Sequence, residues 1–345
     1  MKERYEVTIG IPVYRSVDYI QNTMISALSQ SFPDIEFLIV DDCGKDGTMD
    51  VILHLQKSHP RGNDIRILTN DINLGVSFSR NRIIDEAKGK YLYFMDSDDA
   101  IEPDTIQLLY DAIVENQAQI AFGSYEIIDG IGDSPKEVYQ KDSLVLNGDD
   151  KLALYAFKNN NRFQVSVCNQ LVDLFFLRQT GVRFMDVSYW EDMVYTTELV
   201  TKVTKSVLLS DVTYHYIRRQ GSLSHYQVRD RLEKQEIQKN VSVIQCLKEK
   251  CRNMQGKPYL PYLCYNLERD SFYAVCKIMR NSRWITPKVS LSEMRSILRH
   301  PLSIIEMLRF EYKMLPNFMF GIIGNLPIPF FLPSIWLLGK LKRAI

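Results

Sequence analysis

Residues 91–99 read Tyr-Leu-Tyr-Phe-Met-Asp-Ser-Asp-Asp, an apolar run that ends in three carboxylates. The run Tyr91–Met95 predicts a buried strand. Three carboxylates at the mouth of a strand repel one another unless a cation neutralises them. Closely spaced oxygen ligands suit Mg²⁺ or Mn²⁺, which binds one or two protein carboxylates and completes its shell with substrate phosphates. Asp96–Asp99 therefore predicts a phosphate-bearing substrate, with turn and N-cap chemistry as the alternative.

Strand and helix patterns alternate on the N-terminal side of this stretch. Apolar runs predict strands at Tyr5–Val13, Ile35–Val40, Ile65–Leu68 and Tyr91–Met95, and helical periodicity predicts helices at Asp18–Gln30, Thr48–Lys57 and Val76–Ala87. The alternation predicts an α/β fold with a mostly parallel sheet flanked by helices. Ligands bind such sheets at the carboxyl ends of the strands. Three of those ends read Pro12-Val13-Tyr14, Asp41-Asp42-Cys43 and Asp96-Ser97-Asp98-Asp99, and two of them are acidic.

Composition indicates a folded protein with an uneven distribution of charge. The 345 residues are 46% hydrophobic and 24% charged, as in globular proteins. Residues 1–110 hold 18 acidic and 11 basic side chains, whereas residues 231–345 hold 19 basic and 8 acidic ones. A basic half predicts an anionic partner, and no nucleic-acid motif accompanies it, so a membrane surface is the expectation. The six cysteines lack metal-ligand spacing and no signal peptide precedes Tyr5, which predicts a reduced, cytoplasmic protein.

The pattern becomes less regular after residue 110 and changes character near residue 226. Helices are predicted at Leu152–Phe157, at Leu171–Leu177 and from Tyr189 to about Val200. Beyond residue 226 long helices are rich in lysine and arginine. We therefore expect a domain at 1–225, with halves at 1–110 and 111–225, and a basic helical region at 226–345.

The tail at 314–345 is the most apolar part of the chain. Between Met314 and Leu341 only Lys340 is charged, but four prolines interrupt the segment. A membrane-spanning helix needs about 20 uninterrupted apolar residues. We expect the tail to lie in the plane of a membrane, with Lys340, Lys342 and Arg343 at the headgroups. The alternative is a buried C-terminal hairpin that completes the core.

Five motifs, taken in their order and spacing, resemble family 2 glycosyltransferases. They are Ile11-Pro-Val-Tyr14, Ile39-Val-Asp-Asp-Cys-Gly-Lys-Asp-Gly-Thr48, Asn73-Leu-Gly75, Ser79-Arg-Asn81 and Phe94-Met-Asp-Ser-Asp-Asp99. The resemblance covers about residues 5–225. It implies the GT-A fold, a Rossmann-like sheet, and a transfer that inverts the anomeric centre in most members.

The resemblance also implies roles at matching positions. Asp98 corresponds to the metal ligand of the D-x-D motif, and Asp96, the second candidate ligand, lies beside it near the ribose and phosphates. The metal would be Mn²⁺ or Mg²⁺. For Arg80, placed near the nucleotide, a surface helix arginine is the alternative. The positions implied to contact the nucleotide-sugar are Pro12, Val13, Tyr14, Asp41, Asp42, Arg80, Asp96 and Ser97.

Trp190-Glu191-Asp192 resembles the family's E-D motif, whose aspartate is commonly the base. Asp192 is the first candidate and Glu191 the second, with helix capping as the alternative. The segment that begins at Arg218-Arg219 resembles one that closes over the diphosphate. Upstream of it, His215 is expected to be structural rather than a ligand. The sequence departs from the family's pattern at Gly44 and at Gln170. Neither of these residues stands at the metal position or at the base position.

These features predict a metal-dependent, inverting glycosyltransferase. We expect a nucleoside-diphosphate donor and an acceptor hydroxyl on a glycan or lipid-linked glycan. The resemblance implies uridine as the nucleoside, since it is the commonest in the family. The process would be cell-surface polysaccharide assembly at the inner face of a bacterial membrane. The rivals are a nucleotidyltransferase, which would need a glycine-rich loop where Ile11-Pro-Val-Tyr-Arg-Ser16 stands, and a non-catalytic sugar-nucleotide-binding protein.

Overall fold

The chain divides into two structural units. The first comprises Met1–Leu152 with Gln164–Ser222, and the second comprises Ala153–Phe163 with Leu223–Ile345. Ala153–Phe163, expected from the sequence to belong to the half at 111–225, thus groups with the C-terminal unit. The boundary predicted near residue 226 lies outside the described residues. The computed structural model describes residues 4–129, 137–159, 163, 166–187, 190–218 and 232–342.

The first unit is built on a mixed sheet. Its strands are β1 (Tyr5–Val13), β2 (Ile35–Asp41), β3 (Ile65–Thr69), β4 (Gly89–Phe94), β5 (Ala100–Ile101), β6 (Ile120–Ile128), β7 (Glu137–Tyr139), β8 (Leu144–Asn147), β9 (Gln170–Asp173) and β10 (Lys205–Ile217). They follow the order β3-β2-β1-β4-β9-β6-β10-β5, with β7 beside β6 and β8 beside β10. The four N-terminal strands are mutually parallel, as predicted, and β10 is parallel to β6. Antiparallel β9 joins the two parallel groups.

Helices cover the sheet, as the alternating pattern predicts. They are α1 (Ile20–Leu28), α2 (Thr48–Ser58), α3 (Val76–Glu86), α4 (Thr105–Asn116), α6 (Leu174–Thr180) and α7 (Glu191–Val200). Helix α5 (Lys151–Lys158) belongs mostly to the second unit. The helix predicted at Leu171–Leu177 is wrong in its first half, where the chain forms strand β9. The cause is tertiary, because β9 pairs with β4 and β6 through backbone hydrogen bonds that no local pattern encodes.

The C-terminal unit is helical, as predicted. It contains α8 (Lys234–Cys251), α9 (Leu260–Arg280), α10 (Leu291–Ile297), α11 (Ile304–Met307), α12 (Met314–Asn325), α13 (Ile328–Leu341) and the short strands β11 (Leu232–Glu233) and β12 (Ile285–Thr286). A buried ion pair joins α8 to α9, with Lys248 Nζ 2.6 Å from Glu268 Oε1. Lys248 also donates to the carbonyl oxygens of Ile297 and Arg299. The buried Lys248 side chain thus connects α8 with α9 and with the end of α10.

The tail combines features of both predicted alternatives. Phe331 and Ile335 of α13 are fully buried, as a core hairpin requires. Phe330 and Leu337 of the same helix are 64% and 57% exposed. Arg343 lies outside the described residues. Among those described, no helix is both long and apolar enough to cross a bilayer.

Candidate active site

The carboxyl ends of three neighbouring strands meet at one edge of the sheet. β1 lies between β2 and β4 and is parallel to both, with Val13 opposite Asp41. The loops that follow β1 and β4 touch, since Ser16 Oγ lies 2.7 Å from Ser97 Oγ. The structure therefore brings together the three strand ends that the sequence singles out.

Of the three residues at the end of β1 that are predicted to contact the nucleotide-sugar, one has an accessible ring. Pro12 and Val13 are buried, whereas Tyr14 is 42% exposed. The guanidinium carbon of Arg15 lies 5.2 Å from the centre of the Tyr14 ring. Of these three residues, Tyr14 is thus the one that can contact a ligand that arrives from solvent.

The two aspartates at the end of β2 have different surroundings. The Asp42 carboxylate accepts hydrogen bonds from Asn70 Nδ2 at 2.8 Å, the Leu74 amide at 2.9 Å and the Gly75 amide at 2.8 Å. Both of its oxygens therefore hold the loop that precedes α3. Asp41 Oδ1 accepts one long hydrogen bond, of 3.4 Å, from the Gly44 amide within the part of the chain that the structure describes. Asp41 is thus the better candidate for contact with the nucleoside.

The protein itself relieves part of the repulsion among the carboxylates after β4. Asp99 is buried, and it accepts hydrogen bonds from the Tyr214 hydroxyl at 2.6 Å and the Ile217 amide at 2.8 Å. Burial, together with the charges of Asp98 and Asp96, raises the pKa of Asp99 well above its ordinary value. Asp99 therefore ties the end of β4 to β10 and does not point to a metal.

Arg80 neutralises Asp96, another of the carboxylates after β4, and links it to the E-D motif. Its Nη2 lies 2.9 Å from Asp96 Oδ1, and its Nη1 lies 2.9 Å from Glu191 Oε1 and 2.6 Å from Asp192 Oδ1. Burial opposes the charge, but the three carboxylates raise the pKa of Arg80 well above its ordinary value. The alternative of a surface helix arginine is wrong because the side chain is buried.

The E-D motif opens α7 from a left-handed residue. Trp190 has φ 66°, a conformation that is rare for a bulky side chain and concentrates at functional sites. Burial raises the pKa of Asp192 to about 7, with Glu191 adding to the rise, while Arg80 and the Val167 amide oppose it. A fifth of the Asp192 side chain stays exposed. Asp192 is therefore a carboxylate that can exchange a proton near neutral pH.

Phe184, which the sequence did not single out, holds Arg80 in place together with Asn81. Asn81 and Phe184 form two hydrogen bonds of 2.9 Å, from Asn81 Nδ2 to the Phe184 carbonyl and from the Phe184 amide to Asn81 Oδ1. The Phe184 ring stacks on Tyr195 at 4.2 Å and lies 5.4 Å from the guanidinium of Arg80. Asn81 stands in a quoted motif, but Phe184 carries no local signal of this role.

The arginine segment after β10 is only partly described. Arg218 lies at the end of the described segment, 3.4 Å from Glu137 and 3.7 Å from Asp129. Arg219 lies outside the described residues. The structure therefore brings Arg218 to carboxylates near β6 and β7, and its role as a diphosphate clamp stays a prediction.

His215 matches the structural interpretation. Its Nδ1 lies 2.7 Å from Glu126 Oε1, and its Nε2 lies 2.9 Å from Glu102 Oε1. Both ring nitrogens are thus occupied by protein carboxylates.

Asp98 and Asp96 have the donor chemistry for a divalent cation. Asp98 is partly exposed at the strand end, and Asp96 gives one oxygen to Arg80 and retains the other. Within the described ranges, no group of three or more His, Cys, Asp or Glu side chains is arranged to hold a metal. Mg²⁺ typically takes one or two carboxylates and completes its shell with water and substrate phosphates. The residues fit a cation that arrives with a diphosphate.

Comparison with known proteins identifies the family. The sequence model of Glycosyl transferase family 2 matches residues 8–179. The chain belongs to glycosyl transferase family 2. The matched residues include all five motifs, both candidate metal ligands and Arg80.

Two similar proteins are named as glycosyltransferases. The chain is 28% identical over 221 residues to the poly(ribitol-phosphate) beta-glucosyltransferase of Bacillus spizizenii, covering 63% of this chain and 33% of that protein. It is 30% identical over 231 residues to the glycosyltransferase GlyA of Streptococcus pneumoniae, covering 64% of this chain and 31% of that protein. The aligned part is thus about a third of each relative's length.

Solved structures show the same GT-A fold. TarS 1-349 of S. aureus in complex with UDP-GlcNAc has a TM-score of 0.68 at 17% identity, over 92% of this chain and 90% of that one. The mannosyltransferase PcManGT of Pyrobaculum calidifontis, in complex with GDP-Man and Mn²⁺, has a TM-score of 0.54 at 14% identity, over 94% and 88%. At these identities the likeness establishes the fold alone.

Arg80→Gln is expected to destabilise this family 2 domain by about 3 kcal/mol, because it leaves three carboxylates without their buried cation. This value is at the low end for buried pairs because Asp96 keeps 34% of its side chain exposed. Urea unfolding measures the change. The control is Arg183→Gln, which breaks a surface pair with Asp85 and should cost less than about 1 kcal/mol. Equal losses in both variants would refute a special role for Arg80.

Proposed function

We propose that the chain transfers a sugar from a nucleoside-diphosphate donor to an acceptor hydroxyl, with inversion at the anomeric carbon. The observation that carries the proposal is the set of contacts made by Arg80. One buried guanidinium holds Asp96, one of the two candidate metal ligands, and Asp192, the candidate base. A donor-side carboxylate and an acceptor-side carboxylate are thereby fixed relative to each other, as a single-displacement transfer requires.

Asp192 would accept the proton of the acceptor hydroxyl. As that proton leaves, the acceptor oxygen forms a bond to sugar C1, and the bond from C1 to the phosphate oxygen breaks with departure of the nucleoside diphosphate. A pKa raised by burial to about 7 suits this task, since a general base works best with a pKa near the operating pH. Arg80 would keep the carboxylate oriented.

Asp98 and Asp96 would hold Mn²⁺ or Mg²⁺ together with the donor diphosphate. When bound, a divalent cation offsets the negative charge that develops on the leaving diphosphate. Arg218 would add a positive charge if it moved from Glu137 to the phosphates.

The donor is proposed to be a UDP-sugar. Asp41 offers carboxylate oxygens that can accept hydrogen bonds from base N–H or ribose hydroxyl groups, and the exposed Tyr14 ring can pack against the nucleoside. TarS 1-349, which shares the fold, was crystallised in complex with UDP-GlcNAc, and this supports uridine.

The acceptor is proposed to be a glycan or lipid-linked glycan in cell-surface polysaccharide assembly. The name of the Bacillus spizizenii relative describes glucosyl transfer to a poly(ribitol-phosphate), and this supports a polymer acceptor. The basic, apolar C-terminal region supports a place on the inner face of the cell membrane. The domain division at about residue 226 remains part of the proposal.

The test is a thermal-shift screen with UDP-glucose, UDP-GlcNAc and GDP-mannose, each with Mn²⁺. A ligand that binds the native state at 100 times its Kd stabilises it by about 2.7 kcal/mol, so a donor should raise the Tm. Release of UDP in the presence of an acceptor then measures turnover. The proposal would be contradicted if none of these nucleotide-sugars changed the Tm, with or without Mn²⁺.

A further inference from the structure

The end of the chain concentrates apolar side chains at the surface. Among the described residues, 26 large apolar side chains are exposed, and 13 of them lie between Ile304 and Leu341. These 38 positions therefore hold half of the exposed apolar side chains in about an eighth of the described residues. Isolated exposed apolar residues are normal, whereas a concentration of them marks an interaction surface.

Helix α12 packs with one face and exposes apolar residues on the other. Gly321 and Gly324 are buried, and a Cβ added at Gly324 would collide with the Leu298 carbonyl. The opposite positions Leu315 and Met319 are 64% and 47% exposed. The packed face is thus fixed by close backbone approach, and the apolar residues opposite it face solvent.

Helix α13 repeats the arrangement. Phe331, Ile335 and Gly339, spaced four residues apart, are buried. Phe330, Leu337 and Leu341 are exposed, and Leu341 reaches 72%. A surface helix normally places polar residues opposite its buried stripe. We call the exposed set the tail face; it consists of Leu315, Met319, Ile322, Phe330, Leu337 and Leu341.

The charges around the tail face fit an anionic lipid surface. Residues 314–345 contain no Asp or Glu. Lys340 Nζ lies 4.2 Å from the centre of the half-exposed Trp336 ring, and Lys313 Nζ lies 4.6 Å from that of Tyr265. Aromatic rings beside lysines are typical of segments at the headgroup level of a membrane. A second copy of the same basic surface would be repelled by these charges.

We propose that the tail face docks on an anionic lipid bilayer, with α12 and α13 lying in the plane of the interface. Their 12 and 14 residues correspond to lengths of about 18 and 21 Å, against a hydrocarbon core of about 30 Å. The docking surface deepens the membrane part of the proposed function. It stands independently of glycosyl transfer, because its readout is binding and not turnover.

The test is co-sedimentation of the full chain with two kinds of vesicle, equimolar phosphatidylglycerol and phosphatidylcholine, or phosphatidylcholine alone. The apolar variant carries Leu315→Gln, Phe330→Gln, Leu337→Gln and Leu341→Gln. We expect it to bind the anionic vesicles on the order of 10²-fold more weakly than the wild type, because burial of apolar surface supplies much of the affinity. Truncation is unsuitable, since Phe331 and Ile335 belong to the core of the unit.

The matched control changes four exposed apolar residues in the first unit, Leu53→Gln, Val114→Gln, Val138→Gln and Phe175→Gln. It should bind as the wild type does. A charge variant carries Lys313→Gln, Lys340→Gln and Lys342→Gln. Its affinity for the anionic vesicles should also fall on the order of 10²-fold, since each lysine near an anionic leaflet raises the affinity about fivefold. It serves as the second measurement if the apolar variant fails to fold.

Three outcomes would overturn the proposal. The first is a wild-type chain that does not bind anionic vesicles at low salt. The second is an apolar variant that folds, as judged by circular dichroism, and binds as tightly as its control. The third is a wild-type dimer in light scattering that the apolar variant dissociates, without vesicle binding, which would assign the tail face to a second copy.

Discussion

Asp192→Asn is expected to lower kcat by about 10²- to 10⁴-fold while affinity for the nucleoside diphosphate stays close to the wild-type value. Asparagine has nearly the same shape and can still accept a hydrogen bond from Arg80 Nη1, which lies 2.6 Å from Asp192 Oδ1. It cannot take a proton from an acceptor hydroxyl. Steady-state kinetics measures the loss, and calorimetry with UDP measures binding separately.

Two comparisons make the result specific to the base. Asp186→Asn, at an exposed position just before α7, is the control and should retain full activity. In the wild type, kcat should fall as the pH drops below about 7, because burial raises the pKa of Asp192 to that value and the base acts only when deprotonated. An active Asp192→Asn beside an inactive Glu191→Gln would transfer the role to Glu191, the second carboxylate that Arg80 contacts.

Asp98→Asn is expected to remove activity by on the order of 10²-fold or more, the usual loss when one preorganised charge contact disappears. The fold should persist because Asp98 lies partly exposed at a strand end and not in the core. Wild-type turnover should vanish in EDTA and return with Mn²⁺ or Mg²⁺. Calorimetric titration of Mn²⁺ in the presence of UDP should show weaker binding for the variant.

Asp104→Asn is the matched control, since Asp104 is an exposed aspartate a few residues further along the chain. It should keep both its activity and its response to Mn²⁺. Full turnover of the wild type in EDTA would exclude a metal-dependent mechanism. Loss of folding in Asp98→Asn would show that the carboxylate acts through structure instead.

The pattern of the first hundred residues predicted the parallel half of the sheet. The four predicted strands agree with β1 to β4, because buried parallel strands are continuous apolar runs and their crossover helices carry a clear 3.6-residue period. Strand β9 was missed. Its four residues form a strand only because β4 and β6 offer hydrogen-bonding edges on both sides.

The sequence predicted which residue types form the candidate site, but it did not predict which role each of them has. Asp42 and Asp99 stand in the motifs beside Asp41 and Asp98 with the same side chain. Only the surrounding donors separate them, since Asp42 and Asp99 accept their hydrogen bonds from Asn70 and Tyr214 and from backbone amides. Those donors come from distant parts of the chain, so no local spacing could distinguish the pairs.

The sequence by itself determined the family, the parallel sheet and the carboxylates at its strand ends, because these follow from apolar runs and short motifs. The tertiary structure alone decided the position of Arg80, whose partners Glu191 and Asp192 lie 111 and 112 residues away in the chain. It also decided that each tail helix is packed on one face and exposed on the other. The hydropathy of the sequence shows how apolar a segment is, whereas the burial of each side chain depends on which neighbours the fold brings to each face of the helix.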